Sequence, residues 1–310
     1  MNQPKSSTGS TEIPSGADPL GTATALLAAA VWATSAPLVK LLAIQTGVSA
    51  LALAFWRDLA GSLFLFAALS VLRPSWLRVP RRELGWLLAL GGSLGAFHVI
   101  WNLGVFMNGA AVATVQQAAM PAIVAIAAHL IWREPLTWRR IVAIAMAFGG
   151  TALVSHPDLR GQMSSSASSL LVGVGIPVMY AAWNLVGKRV RQTQNPLTML
   201  TGAFGCAALL LLPFQFFTPQ PWPVPAVAWP LFAALVALPT IGGFALYTFA
   251  LKRLQASVAT ILAMTEVVFV ALYAYLLLGE RLAATQVLGA MLVIGGAVLL
   301  HNFRRSNADS

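Results

Sequence analysis

Several polar and aromatic residues stand at helical spacing inside stretches of this chain that are otherwise apolar. His98, Trp101 and Asn102 occupy positions i, i+3 and i+4 and so share one helix face. Such a face can stack an aromatic ring on the indole and hydrogen-bond an ammonium or carboxylate through the imidazole and amide. Tyr180, Trp183 and Asn184 repeat the pattern in a later stretch, and Trp32 and Ser35 sit at the matching depth of an earlier one. Phe244 and Tyr247 add an aromatic pair, and Gln116 and Gln117 precede Met120-Pro121. The competing reading is polar contact between helices with Trp as filler. Two arguments favour a wet cavity. A polar group facing lipid tails is costly. Trp32 and Trp183 also lie well inside their stretches, not in the interfacial belt where Trp ordinarily collects.

Glu266 is the most isolated ionisable residue, near the middle of its apolar stretch. A carboxylate there can carry a coupling proton or meet a substrate ammonium, or it pairs with Lys40 or a nearby amide. Arg57 and Asp58 are neighbours in sequence, so on a helix they point about 100° apart and need not pair; Arg57 is read as structural or gating. Pro121 removes a backbone donor and frees a carbonyl one turn earlier, and Pro37, Pro177 and Pro239 predict similar kinks. Lys40 is expected to snorkel, and Glu134 and Glu280 to cap the helices that follow them. Neither a GxxxxGK[ST] loop nor HExxH is present, so nothing points to ATP-driven chemistry, a metal or a cofactor. Cys206 is the single cysteine and makes no intrachain disulfide.

These residues must be positioned by membrane helices. The chain is 58% hydrophobic and 9% charged, with mean hydropathy +0.77. Apolar stretches fall at 20–43, 48–71, 84–106, 109–131, 136–154, 168–188, 196–217, 227–250, 256–278 and 282–302, each near the length that crosses hydrocarbon. Positive charge alternates between the gaps. Arg73, Arg78, Arg81 and Arg82, then Arg133, Arg139 and Arg140, then Lys188, Arg189 and Arg191, then Lys252 and Arg253, and finally Arg304 and Arg305 lie on one side with Lys5. Only Arg160 and Arg281 lie on the other, while Lys40 and Arg57 fall within spans. Loops rich in Lys and Arg stay in the cytoplasm, so both termini are predicted there. The net charge of +10 is explained by topology and anionic lipid; it is spread over short segments and forms no stripe for nucleic acid. Residues 1–19 read as a disordered tail without the basic start and apolar core of a signal peptide.

The two halves match each other. A shift of 146 residues carries Ala110-Ala111-Val112-Ala113-Thr114 onto Ala256-Ser257-Val258-Ala259-Thr260, and Gly149-Gly150 onto Gly295-Gly296. It also carries Glu134-Pro135-Leu136 onto Glu280-Arg281-Leu282, His98 onto Phe244 and Trp101 onto Tyr247. A shift of 148 carries Trp32 onto Tyr180 and Lys40 onto Lys188. Five helices per repeat reverse orientation, which predicts inverted repeats with a site near the midplane between them, as in secondary transporters.

Repeats with Val112-Ala113-Thr114 to Gly150 and Val258-Ala259-Thr260 to Gly296, each carrying Glu-x-Leu before a helix closing on Gly-Gly, resemble the EamA repeat of the drug/metabolite transporter superfamily. The Trp-rich first, third and sixth stretches look most like the YddG-type aromatic amino acid exporters. The resemblance implies an all-α integral membrane protein of ten transmembrane helices. Its first repeat is expected at 20–154, a periplasmic linker at 155–167, a second repeat at 168–302 and a cytoplasmic tail at 303–310. It further implies an exporter of the bacterial inner membrane with its cavity between the halves, taking amino acids or similar small amphipathic metabolites and in contact with membrane lipid. Three rivals are an exporter of drugs on the same fold, a membrane-embedded enzyme and a channel. The scattered intramembrane polar residues disfavour the enzyme, and the kinked inverted repeat the channel.

Overall fold

The computed structural model describes residues 18–133, 137–154, 167–218, 225–254 and 256–306. Every regular element among them is helical. The order is α1 (Pro19–Trp32), α2 (Ser35–Thr46), α3 (Ala50–Leu72), α4 (Leu84–Asn108), α5 (Ala110–Gln117), α6 (Met120–Trp132) and α7 (Trp138–Val154). It continues with α8 (Ala167–Val190), α9 (Pro196–Gln215), α10 (Trp229–Leu235), α11 (Gly243–Leu251), α12 (Ala256–Ala263), α13 (Glu266–Leu278) and α14 (Ala284–Ser306). In lipid only structures that satisfy their own backbone can cross, so an apolar chain of this kind is driven to helices.

Local signals set the starts. Asp18 accepts a hydrogen bond from the amide of Leu20 (3.0 Å) with Pro19 in the first turn, and Ser49 caps α3 through Ala52 (3.1 Å). Asn195 caps α9 through Thr198 (3.0 Å), again followed by proline. The Gln286 side chain accepts from the Ala283 amide (2.9 Å) at the start of α14.

Three of the apolar stretches break into half-helices. The first breaks at Ala33–Thr34, the fourth at Ala118–Ala119 and the ninth at Met264–Thr265. Pro37 and Pro121 lie just past two of the breaks, as a missing N–H requires, but the third has no proline. There the Thr265 hydroxyl donates to the Leu262 carbonyl (2.6 Å), as Thr34 does to Val31 (2.7 Å), competing with the helix's own bonds. Pro239 lies in a π-helical turn, Val236–Gly242, joining α10 to α11. Pro177 lies inside α8, which continues past it.

Seven segments among the described residues are long and apolar enough to cross a membrane: 19–46, 50–72, 81–108, 110–131, 167–190, 196–215 and 226–251. Two shorter apolar helices, Glu266–Leu278 and Ala284–Leu299, follow. The ten expected stretches are not all single long helices, because the ninth is broken and α7 has 17 residues. The expected tail at 303–310 also differs, since α14 continues to Ser306. Of the tail expected at 1–19 and the linker expected at 155–167, residues 1–17 and 155–166 lie outside the described residues, as does Glu134, while Pro19 and Ala167 begin α1 and α8.

Small residues let helices meet backbone to backbone. A Cβ on Gly150 would stand 2.6 Å from the Gly289 carbonyl oxygen and 2.8 Å from Val293, and one on Gly296 2.6 Å from the Ala143 carbonyl and 3.2 Å from the Ala147 amide nitrogen. Without a hydrophobic drive between helices in lipid, such close approach supplies the packing energy. The shift of 146 carries Ala143 onto Gly289, Ala147 onto Val293 and Gly150 onto Gly296, so the contacts between α7 and α14 exchange under it. A two-fold relation between the two helices has that property.

Candidate functional site

Eight aromatic rings form an unbroken series from one half of the chain to the other. Trp32 at the end of α1 packs on Tyr247 (5.0 Å between centroids) and edge-on to Phe244 (5.3 Å), both on α11. Phe244 meets Phe204 of α9 (6.4 Å), which lies parallel to His98 of α4 (6.3 Å). His98 is followed by Phe97 (5.5 Å), Phe97 stacks on Tyr180 of α8 (4.8 Å), and Tyr180 on Trp183 (5.6 Å). The shift that relates Phe244 to His98 makes the pairing of α1 with α11 the counterpart of the pairing of α8 with α4. Gly243 admits the Trp32 indole, whose Cδ1 would lie 2.2 Å from a Cβ there.

Beside this series lies a cluster of charges. His98 Nδ1 is 2.6 Å from Asp58 Oδ1, and both side chains are buried. Arg57, also buried, donates from Nε to the Thr240 hydroxyl (3.0 Å) in the π-helical turn. Thr240 in turn donates to the Leu235 carbonyl (2.9 Å), so the turn that Pro239 provokes presents an acceptor to Arg57. Glu266 is half-buried in the first turn of α13, within electrostatic reach of Arg57 and without a hydrogen bond among the described residues. The expected alternative partner of Glu266, Lys40, is elsewhere. Its ammonium caps the C-terminal end of α4 through the carbonyls of Val105 (3.2 Å) and Phe106 (2.9 Å), and does not snorkel.

The sequence-derived residues divide by environment. Trp32, Tyr180, Phe244 and Tyr247 are half-buried in the ring series, with Trp183 at its end. Trp101 is buried one turn from Phe97. The indole nitrogens of Trp101 and Trp183 and the Ser35 hydroxyl are buried without a partner among the described residues. Asn102 is fully buried and donates to the Ala50 carbonyl (3.0 Å), and Asn184 donates to the Tyr180 carbonyl of its own helix (2.9 Å). Gln116 accepts from Asn108 (3.3 Å), which is also paired with Ser169 of α8; this cluster stands at the end of α4, away from the rings. Gln117 is half-buried just before the break at Ala118.

Glu280 does not cap the helix after it. Its carboxylate crosses to the other half and accepts from the amides of Ala110 (3.0 and 3.1 Å) and Ala111 (3.4 Å), at the start of α5. Gly109, at φ +92°, makes room, since a Cβ there would stand 3.1 Å from Glu280 Oε2.

Sequence reasoning missed Asp58, Phe97, Phe204 and Thr240 as members of this region. Asp58 had a signal, an acid in mid-span one residue from Arg57. Phe97, Phe204 and Thr240 had none, because an apolar ring or a threonine among apolar residues looks like ordinary packing.

Residues 19–156 and 167–301 match the EamA-like transporter family. An uncharacterized transporter of Archaeoglobus fulgidus is 28% identical over 153 residues, 48% of this chain and 52% of its own length. The uncharacterized transporter YyaM of Bacillus subtilis is 26% identical over 184 residues, 57% of this chain and 60% of its own. The chain thus spans little more than half of these two relatives. A probable terminal-alkyne amino-acid exporter of Streptantibioticus cattleyicolor is 26% identical over 286 residues, 89% of this chain and 91% of its own. A solved crystal structure shares the fold with TM-score 0.63 and 19% identity, over 92% of this chain and 98% of that one.

Proposed function

The chain belongs to the EamA-like transporter family, and on that premise we propose that it exports amino acids with aromatic or other large side chains across the bacterial inner membrane. It is a multi-pass membrane protein, and no feature of the family calls for an enzyme. In this reading it crosses ten times as two inverted five-helix repeats, 20–154 and 168–302, with both termini in the cytoplasm. The exchange of contacts between α7 and α14 supports the inverted pairing, and the charge alternation supports the orientation.

The observation that carries the substrate class is the ring series. A row of half-buried aromatic faces from both halves, with the carboxylate of Glu266 within electrostatic reach of Tyr180, suits a molecule with a flat apolar side chain and an ammonium group. The buried indole N–H groups without partners can meet its carboxylate when a change of state exposes them. Transport is alternating access, with the breaks at Ala33, Ala118 and Met264 as the places where half-helices reorient. Glu266 serves as the receptor for the ammonium or for a coupling proton. The printed name of the 26%-identical exporter, which concerns amino acids, agrees with this class.

Flux into proteoliposomes tests it. Phenylalanine and tryptophan should be carried, and more strongly against a pH gradient. Transport of lipophilic cations but of no amino acid would replace the substrate class with drugs. Conduction without saturation would replace the mechanism with a channel.

A further inference from the structure

The two repeats match in sequence but differ in packing. The half-helix α2 lies against α4 and α5, and α5 lies against α13. Under the shifts of 148 and 146 residues, the end of α8 is the counterpart of α2, and α11 that of the second half of α4. Likewise α12 is the counterpart of α5, and α6 that of α13. Among the described residues α8 has no comparable packing on α11 or α12, nor α12 on α6. One end of the molecule is therefore drawn together and its counterpart is not. The closed end holds residues 44–48, 107–109 and 279–281, which the charge pattern assigns to the periplasm.

Two polar contacts fasten that end. Lys40, half-buried on α2, donates to the carbonyls of Val105 (3.2 Å) and Phe106 (2.9 Å). These are among the last carbonyls of α4, which lack a partner within their own helix. The Glu280 carboxylate accepts from the amides of Ala110 (3.0 Å) and Ala111 (3.4 Å) and is within electrostatic reach of Lys40. The cation thus holds the negative end of α4 and the anion the positive end of α5, on either side of Gly109.

The counterpart of Lys40 is Lys188, and those of Val105 and Phe106 are Leu251 and Lys252. Lys188 is exposed near the end of α8, and Leu251 and Lys252 stand at the end of α11. We propose that Lys40 and Lys188 are alternating latches. Lys40, with Glu280, holds the periplasmic end shut in this structure, and Lys188 takes the carbonyls of Leu251 and Lys252 when the cytoplasmic end shuts. The proposal rests on the export reading. It needs two hinges. α2 follows the break at Ala33–Thr34, and α8 contains Pro177, where a helix bends most readily. The second latch is the weaker one. Lys252 and Arg253 add positive charge that the end of α4 does not carry, and Asp18, bonded to Arg253 (3.0 Å), offsets only part of it. That difference favours the state seen here.

Spin-label distances without any ligand test it, in the Cys206→Ser protein in lipid nanodiscs. One pair of labels, at Ile44→Cys and Met107→Cys, reads the closed end. The other, at Gln192→Cys and Leu251→Cys, reads its counterpart. Lys40→Met keeps the length of the side chain and loses the ammonium. It should shift the balance about tenfold toward a longer first distance and a shorter second one. Glu280→Gln should shift it the same way. Adding Lys188→Met to Lys40→Met should return the balance to within about twofold of the parent, because each state has then lost its latch. A merely structural lysine would not show that compensation. Distances unchanged in Lys40→Met overturn the proposal. If that variant fails to insert, unchanged distances in Glu280→Gln do so. A double variant displaced as far as Lys40→Met alone removes Lys188 from the cycle and overturns the alternation. L-phenylalanine that moves neither distance in the parent would count against the export reading, with the ligand-free distances still deciding the latches.

Discussion

Replacing Glu280 tests how the two halves are joined. Its carboxylate accepts three backbone hydrogen bonds from the first turn of α5, across 170 residues of sequence. A side-chain cap is worth about 0.5–2 kcal/mol, and a negative charge at a helix start adds roughly 0.3–1 kcal/mol. Glu280 is half-buried, so the sum is discounted for solvent, and Glu280→Ala should cost roughly 2 kcal/mol. Glu280→Gln retains an acceptor and loses the charge, and should cost roughly 1 kcal/mol. Cys206 is the only thiol of the chain, so reaction with a thiol-specific dye on heating reads unfolding directly. The midpoint should fall by roughly 5 °C for Ala and by about half that for Gln. Gly109→Ala should be costly in the parent, where its Cβ meets the carboxylate at 3.1 Å, and less costly in Glu280→Ala, where only the strain of φ +92° is left. If the contact exists in one transport state only, roughly 2 kcal/mol shifts the balance of states about thirtyfold, which would appear as altered exchange rates. A Glu280→Ala protein that melts with the parent, or additive costs for the two substitutions, would refute this account of the junction.

Other outcomes follow from the same structure. Alkaline phosphatase fused after Arg305 should be inactive and a fluorescent protein there should glow; the reverse would sink the ten-span orientation. Trp183→Ala, which removes the stack on Tyr180, should weaken substrate binding by about 1–3 kcal/mol in a folded, inserted protein, as should Trp101→Ala; normal flux in both would place the site elsewhere. Gly150→Val should cost about 1–3 kcal/mol of thermal stability, because its Cβ would be 2.6 Å from a carbonyl oxygen of α14; a neutral effect would mean that the two helices are not in backbone contact. Asp18 bonds Arg253 (3.0 Å), and that hydrogen bond holds its carboxyl below the ordinary 3.8. The pair's contribution is therefore present above that value and lost as pH falls through the lower folded one. Parent and Asp18→Asn should differ slightly at neutral pH and converge in acid and in salt, and a difference that grew on acidification would exclude the pair as its source.

The sequence alone determined the class of molecule and the repeat, and only in part the helical segments. Long apolar stretches admit helices and little else in lipid, and the internal match at a shift of 146 is plain text. Proline announced the breaks before Pro37 and Pro121, because a missing donor acts locally. The break at Thr265 was not announced, since a threonine bonding its own helix has the same letter as one that does not. Helical spacing grouped Tyr180 with Trp183, which do stack, and His98 with Asn102, which go to different partners. Spacing says which residues share a face and nothing about what stands opposite. Only the tertiary structure decided that Asp58 meets His98, that Arg57 reaches Thr240 183 residues away, and that Glu280 caps a helix of the other half. Those choices depend on which helices lie side by side, and in a membrane that is settled by close approach of small residues such as Gly150 and Gly296, whose contacts no local pattern spells out.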